Sequence, residues 1–343
     1  MRIPFVAAVV LLPALLLAQI PPGYYDSAQG LTGEALRTAL NGIISPHTVL
    51  QYSQLWAAFY RTDRRTNNTV WDIYSDVPGG PLPYSYQFVT DQCGTYTGEG
   101  DCFNREHSFP VGWFNDVPPM NTDLFHIYPT DGWVNAQRGS WPYGTVNAPA
   151  YTSNNGSKRG PCTWPGCTGT VFEPINEYKG DLARGYMYML TRYLNESQSW
   201  TTPITTGNEF FGWTESLLVA WCTQDPVSAK EIARNDSIYR IQGNRNPYID
   251  NPQWVYSIWG PQAAIDEVVA DDIRAWYAEG VLTIDLDATL PSLSLSVLDA
   301  LGRTVLQERS GTGRTAHPID LVPGTYCLVL GDVGQHKVLR FVR

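Results

Sequence analysis

Apolar residues recur along the first part of the chain at helical spacing. Leu36, Leu40, Ile43 and Ile44 share a face after Thr32, which predicts a helix stopped near Ser45-Pro46. Tyr52 to Tyr60 predicts a second helix. Val70-Trp-Asp-Ile-Tyr74 alternates like a short strand, and Asp76-Val-Pro-Gly-Gly-Pro is a turn cluster. Residues 139–170, rich in Gly, Pro, Asn, Ser and Thr, predict a long loop. Tyr178, Leu182, Tyr186, Met189, Leu190 and Tyr193 then mark one face of a long helix, and Trp213 to Cys222 predicts another. Ser228-Ala-Lys-Glu231 is a capping box, and Gly243 ends the helix that it opens.

The pattern changes after Trp259-Gly260. An acidic stretch from Asp266 to Glu279 leads to short alternating runs at Leu293–Leu298, Arg303–Leu306, Tyr326–Leu330 and Val338–Val342. The expected class is α+β: a mainly helical body over residues 19–262, a linker over 263–280 and a small all-β sandwich over 281–343. Ahead of the body, Arg2 and the apolar run Phe5 to Ala18 read as a signal peptide over residues 1–18, with Leu16 larger than usual before the cut. The run is too short to span a bilayer comfortably, so export without stable membrane insertion is expected, to the cell surface or beyond by way of the periplasm.

Six cysteines fit an oxidising destination. Cys93 and Cys102 bracket a polar Gly-rich loop, and Cys162 and Cys167 bracket the turn Thr-Trp-Pro-Gly, so each couple is expected as a local disulfide. Zinc lacks histidine partners around Cys162-Cys167, and Cys222 and Cys327 are expected to stay unpaired. The formal net charge is −10, and residues 281–343 are balanced, so the acidity belongs to the body. Such a chain binds polyanions weakly unless a metal and a local arginine cluster reverse the field in a cleft.

Of the five histidines, only His107 and His126 sit among candidate catalytic groups. Asn104-Arg-Glu-His107 is a polar cluster against Phe103, Phe109 and Pro110. Neighbours on an extended segment point to opposite faces, so Glu106 and His107 need a bend to act together. An imidazole can deprotonate water at neutral pH, while a hard divalent ion on oxygen ligands neutralises charge on a phosphate. Glu106 and Asn135 carry suitable oxygens, and Arg138 or Arg184 could clamp a cleavage product bidentately. For Asn135 alone a helix cap or turn is an even alternative. His126, between Phe125 and Ile127, is expected to support the site rather than to act in it, and Arg184 can equally be an intrahelical partner of Asp181.

Cys93-x₈-Cys102-Phe-Asn-Arg-Glu-His-Ser-Phe-Pro110, Asp123-Leu-x-His-x-x-Pro129 and Val134-Asn-x-x-Arg138 together resemble the endonuclease I family of secreted nucleases. Val70-Trp-Asp-Ile-Tyr-Ser-Asp76, Lys179-Gly-Asp-Leu-Ala-Arg184 and Gln242-Gly-Asn-Arg-Asn-Pro-Tyr-Ile-Asp250 extend the likeness over about residues 20–260. The resemblance implies a ββα-metal site. His107 would be the general base and Glu106 and Asn135 the ligands of Mg²⁺ (or Mn²⁺ or Ca²⁺), with DNA or RNA cut to 5′-phosphate products. Relatives with a longer insertion after the histidine place a phosphate-stabilising arginine there. Ser108 to Thr122 holds none, which leaves Arg105, Arg138 and Arg184 as candidates. Leu295 to Leu306, Ile319 to Val329 and Lys337 to Val342 resemble the sorting domain of the Bacteroidetes type IX secretion system, which would make that machinery a partner. A monomer is expected. A glycosidase built on Asp123 and Glu173 and a noncatalytic adhesin are the rival readings.

Overall fold

The computed structural model describes residues 20–260, 273–278, 280–286, 293–299, 303–322, 325–332 and 335–342. The expected signal peptide lies outside them. The chain divides into two compact units at Gly260. Both contain regular structure, and the protein as a whole is mixed α+β.

The first unit runs through α1 (Gly33–Ile44), α2 (Leu55–Thr62), β1 (Phe103–His107), β2 (Ile127–Asp131) and α3 (Gly132–Arg138). It continues with β3 (Tyr151–Thr152), β4 (Lys158–Pro161), β5 (Thr170–Glu173), α4 (Lys179–Arg192), β6 (Thr205–Thr206), β7 (Glu209–Phe210) and α5 (Gly212–Gln224). Last come α6 (Ala229–Gln242), α7 (Pro247–Asp250) and α8 (Gln253–Trp259). All fourteen residues of α4 are buried, which makes it the core helix rather than an amphipathic one. Helices α1, α5 and α7 pack around it. Its cations survive burial because each has a partner, as Lys179 has in Glu173 at 2.7 Å, whereas burial pushes the Asp181 carboxyl well above its ordinary range.

The sequence cues for α1 and α6 act as expected. Thr32 is extended before α1. In the capping box of α6, the Glu231 amide donates to Ser228 Oγ at 3.2 Å and the Ser228 amide donates to Glu231 Oε2 at 2.9 Å. Gly243 closes the helix in the left-handed region, with φ 84°.

Two expectations fail locally. Residues 70–74 are a turn rather than a strand, with only isolated bridges from Val70 to Arg64 and from Thr69 to Gln87. The cause is Asp72, whose carboxylate takes the Tyr74 amide at 2.7 Å and bends the chain on itself. The predicted loop 139–170 contains β3 and β4, which join β5 in a small antiparallel sheet. These strands are too short, and too interrupted by Gly156 and Gly160, to show a period.

The disulfides Cys93–Cys102 and Cys162–Cys167 form as expected, and Cys222 and Cys327 are free. No helix among the described residues is long and apolar enough to cross a membrane.

The second unit has β8 (Ile273–Ala278), β9 (Val281–Leu286), β10 (Ser294–Asp299), β11 (Thr304–Arg309), β12 (Arg314–Pro318), β13 (Thr325–Asp332) and β14 (Gln335–Val342). They form antiparallel sheets in the orders β11-β10-β13-β14 and β12-β9-β8. Leu282, Ile284 and Leu286 from one sheet and Leu295, Val297, Leu328 and Leu330 from the other join a single apolar cluster. Strand β8 occupies part of the segment expected as a linker over 263–280. Its aromatic pair Trp276 and Tyr277 hid the alternation, because Trp276 is exposed although apolar.

His126 belongs to the core of the first unit. It is fully buried, and its Nε2–H donates to the Met120 carbonyl at 2.7 Å. Burial pushes its imidazole down to about 4, against the pull of the Asp123 carboxylate. The unfolded chain takes up this proton near pH 6.5, the ordinary value. The neutral ring therefore contributes fully above about 6.5 and loses its contribution as pH falls from there through about 4, a change of up to about 3 kcal/mol. Urea titrations between those pH values should show a shallower loss of stability for His126→Gln than for the parent chain. Ser228→Ala should cost about 1 kcal/mol of stability in the same assay, and Ser228→Asp much less.

Candidate active site

The site grows from the junction of β1, β2 and α3. The two strands pair antiparallel without a register shift, setting Glu106 opposite Tyr128 and His107 opposite Ile127. No bulge brings Glu106 and His107 together. Strand β1 ends at His107, and both side chains line one cleft with Asn135 and Arg138 of α3. Tyr52, Arg105, Asp116 and Ser140 complete its wall, around a volume of about 270 Å³.

Helix α3 starts where Asp131 caps it. Asp131 Oδ1 accepts from the Val134 amide at 2.8 Å, and its Oδ2 accepts from Gly100 N at 2.8 Å and from the Tyr86 hydroxyl. The Asp131 amide donates to Asp72 at 2.8 Å. Gly132 follows, and a Cβ there would lie 2.7 Å from Cys93 Sγ, so only glycine lets the helix start against the disulfide. One turn on, Asn135 faces the end of β1. Its Nδ2 donates to Asn104 Oδ1 at 2.6 Å, which fixes the amide and leaves Oδ1 as an acceptor.

Glu106 is buried. Its Oε1 accepts from the Tyr74 hydroxyl at 2.9 Å and pairs with Arg138 Nη1 at 3.1 Å. Burial holds its carboxyl above the ordinary range, opposed by Arg138 and Tyr74. His107 is 9% exposed. Burial, then the neighbouring His126, push its imidazole down to about 3, so the ring is neutral at pH 7. Its Nε2 lies 3.1 Å from the Asn121 carbonyl, which can only accept. Nε2 therefore carries the proton, and Nδ1 is the basic nitrogen. Tyr52 lies nearly parallel to the imidazole, at 11° and 6.1 Å.

The excursion from Ser108 to Thr122 serves as a holder for the histidines. Phe109 packs on Trp113, Tyr186 and Trp200, and the carbonyls of Met120 and Asn121 anchor His126 and His107.

The predicted arginines part company here. Arg138 lines the cleft, but its guanidinium is spent on protein groups: the His107 carbonyl at 2.9 Å, the Ser108 carbonyl, the Tyr186 hydroxyl at 2.9 Å and Glu106. Arg184 is not in the cleft. Its Nε and Nη2 grip Glu231 at 2.6 and 2.8 Å and its Nη1 donates to the Asp225 carbonyl, locking α4 to the start of α6. The partner that the sequence suggested, Asp181, stands at 3.8 Å. Neither Asp123 nor Glu173 lines the cleft. Asp123 accepts from Tyr188 and Tyr193, and Glu173 accepts from Lys179 and the Val146 amide.

Tyr74, Asn104 and Tyr52 were not singled out by sequence reasoning. Asn104 lies inside the polar cluster, and Tyr74 ends the Val70 segment, but no spacing rule announces either contact.

As a metal site the donor set is small. Among the described residues no group of three or more His, Cys, Asp or Glu is placed to hold an ion. Glu106 and Asn135 offer hard oxygens only, which suits Mg²⁺, an ion that keeps several waters and takes few protein ligands. The residues present therefore fit such an ion.

Over residues 32–253 the chain matches the family model described as Endonuclease I. It is similar to the extracellular ribonuclease of Bacillus subtilis (strain 168), 33% identical over 247 residues, which are 69% of this chain and 78% of that protein. The extracellular ribonuclease of Bacillus amyloliquefaciens is 34% identical over 249 residues, with the same coverage of 69% and 78%. An extracellular deoxyribonuclease of Aeromonas hydrophila is 25% identical over 176 residues, 51% of this chain and 62% of that protein. A match of this length, laid over the strand pair and helix that carry Glu106, His107 and Asn135, means that the chain belongs to the endonuclease I family.

Proposed function

We propose that this chain is a secreted, divalent-metal-dependent endonuclease that hydrolyses phosphodiester bonds of RNA or DNA with little sequence specificity. The observation that carries this reading is the pairing, in one cleft, of a neutral imidazole of fixed tautomer with two hard oxygen donors. RNA is the first substrate to try, because the relatives matched over most of their length are named ribonucleases.

His107 Nδ1 takes the proton from the attacking water, and Nε2–H on the Asn121 carbonyl keeps the ring aimed and stabilises the imidazolium that forms. Glu106 and Asn135 would hold Mg²⁺, which when bound supplies positive charge at the phosphate and the leaving oxygen. Arg138 opposes the burial that raises the Glu106 carboxyl and fixes the carbonyl of His107. The wall of the cleft excludes bulk water from the imidazole, which keeps it unprotonated. By the family likeness, hydrolysis would leave the phosphate on the 5′ end of the downstream fragment. The ββα-metal assignment rests on the order β1, β2, α3. The all-β second unit is read as the type IX sorting module, and the working protein as a monomer.

Labelled RNA and DNA incubated with the purified chain should be cut in Mg²⁺, with 5′-phosphate ends, and spared in EDTA. His107→Ala should lower kcat by about 10²- to 10⁴-fold. Activity that survives both EDTA and His107→Ala rules the mechanism out. Asn135→Ala should raise the Mg²⁺ concentration for half-activity by about tenfold or more, since it removes one of two protein ligands.

Arg138 and Arg184 should separate in kinetics. Arg138→Lys loses the fork that holds Glu106, His107 and Ser108, and should lower kcat by about tenfold or more. Arg184→Lys should lower the melting temperature while leaving kcat/KM of the folded enzyme within about twofold, because it breaks only a buried ion pair away from the cleft.

A further inference from the structure

Two arginines line the cleft, and they are held in opposite ways. Arg138 has both terminal nitrogens on protein acceptors and only its buried Nε without one, whereas Arg105 makes one hydrogen bond, from Nη1 to the Tyr52 carbonyl at 3.2 Å. Among the described residues Arg105 has no carboxylate partner. Its guanidinium instead lies over the Tyr52 ring at 3.8 Å and by Trp56 at 4.5 Å. An aromatic pedestal fixes the plane of the fork while leaving its other N–H groups for a ligand.

The same arrangement recurs further along α2. Arg64 sits over the Tyr60 ring at 4.3 Å, also without a carboxylate partner among the described residues. The acid beside it, Asp63, is turned inward onto Arg234 at 2.9 Å and cannot cancel its charge. Beneath the two arginines Trp56 packs on the buried Phe103 at 5.4 Å, Phe103 on Phe88 at 6.2 Å and Phe88 on Tyr60 at 5.1 Å, so both pedestals are anchored in the same aromatic core. Trp56 and Tyr60 stand one turn apart on one face of α2, about 6 Å along its axis. In a chain of net charge −10, two cations on pedestals along one face mark a place for a polyanion.

We propose that this face is a track for one strand of the nucleic acid, leading from the cleft along α2, with Arg105 on a phosphate next to the one that is cut and Arg64 on a phosphate further along. The track rests on the nuclease reading for its substrate, and it assigns to Arg105 the phosphate-binding role that neither Arg138 nor Arg184 is free to take.

Fluorescence anisotropy tests it with labelled single-stranded RNA and DNA of about 4 and about 15 nucleotides, the range of single-strand site sizes. Binding is read in the full chain carrying His107→Ala, at several salt concentrations. Arg105→Gln should weaken both lengths roughly tenfold, and Arg64→Gln should weaken only the longer one, each lowering the salt slope by about 0.7. Arg64→Lys should restore the slope. Longer strands bound by Arg64→Gln with unchanged affinity and slope would overturn the track, and an Arg105→Gln variant that binds both lengths normally would overturn the clamp. The nuclease reading fails separately: a parent chain that shows this length and salt dependence, yet cuts neither RNA nor DNA in Mg²⁺, loses the activity and keeps the track.

Discussion

The guanidinium of Arg138 is buried where β1, α3 and α4 meet, and every part of the site leans on it. Alone, a charge at that depth would be prohibitive; it is tolerated because Glu106, three backbone carbonyls and Tyr186 surround it. Those partners come from three places in the chain: the run 106–108, Gly139 and the core helix. Glu106 and the His107 carbonyl come from β1, the Ser108 carbonyl opens the excursion, and Tyr186 comes from the core helix. The pair with Glu106 can exist only if all of them are in register, so the ion pair reports that the site is assembled rather than adding much net stability.

Burial then does opposite things to the two titratable groups beside it. It raises the Glu106 carboxyl and lowers the His107 imidazole, favouring the neutral form of each. For the histidine this keeps the ring unprotonated and at the same time weakens it as a proton acceptor. For the glutamate it is opposed, and the cation of Arg138 and the hydroxyl of Tyr74 are the groups that oppose it. The acidic body is thus compatible with a polyanionic substrate: Asp63, Asp72 and Asp131 are paired inward, which leaves Asp116 as the exposed carboxylate of the cleft wall, while Arg105 and Arg64 stay at the surface.

What could be read from the sequence followed from local rules. The capping box at Ser228, the stop at Gly243 and the period of α4 are properties of one helix, so they are visible in one stretch. That Glu106, His107 and Asn135 share one cleft was legible because their residue types and the family likeness pointed to the same place. The roles of the arginines were not. Whether a guanidinium is free or spent depends on carbonyls and hydroxyls that arrive from distant segments, and no pattern in the neighbourhood of Arg138 or Arg184 records them. The turn at Asp72 failed for a related reason: one side-chain acceptor outweighed an alternation five residues long. The sheet of β3, β4 and β5 is too short-stranded for any period to form.

His107 and His126 are both aimed by main-chain carbonyls of the Ser108–Thr122 excursion. No substitution at Asn121 or Met120 can delete such an acceptor, because every amino acid carries one. What can move it is a change in the number of residues, which would carry the carbonyls past the imidazoles. An insertion or deletion between His107 and Asn121 would disturb both imidazoles unless the changed residues loop out away from these two carbonyls, whereas a change of a solvent-facing side chain would leave the carbonyls in place. The aim of each imidazole is thus written in the path of the backbone, and in no single side chain of the excursion.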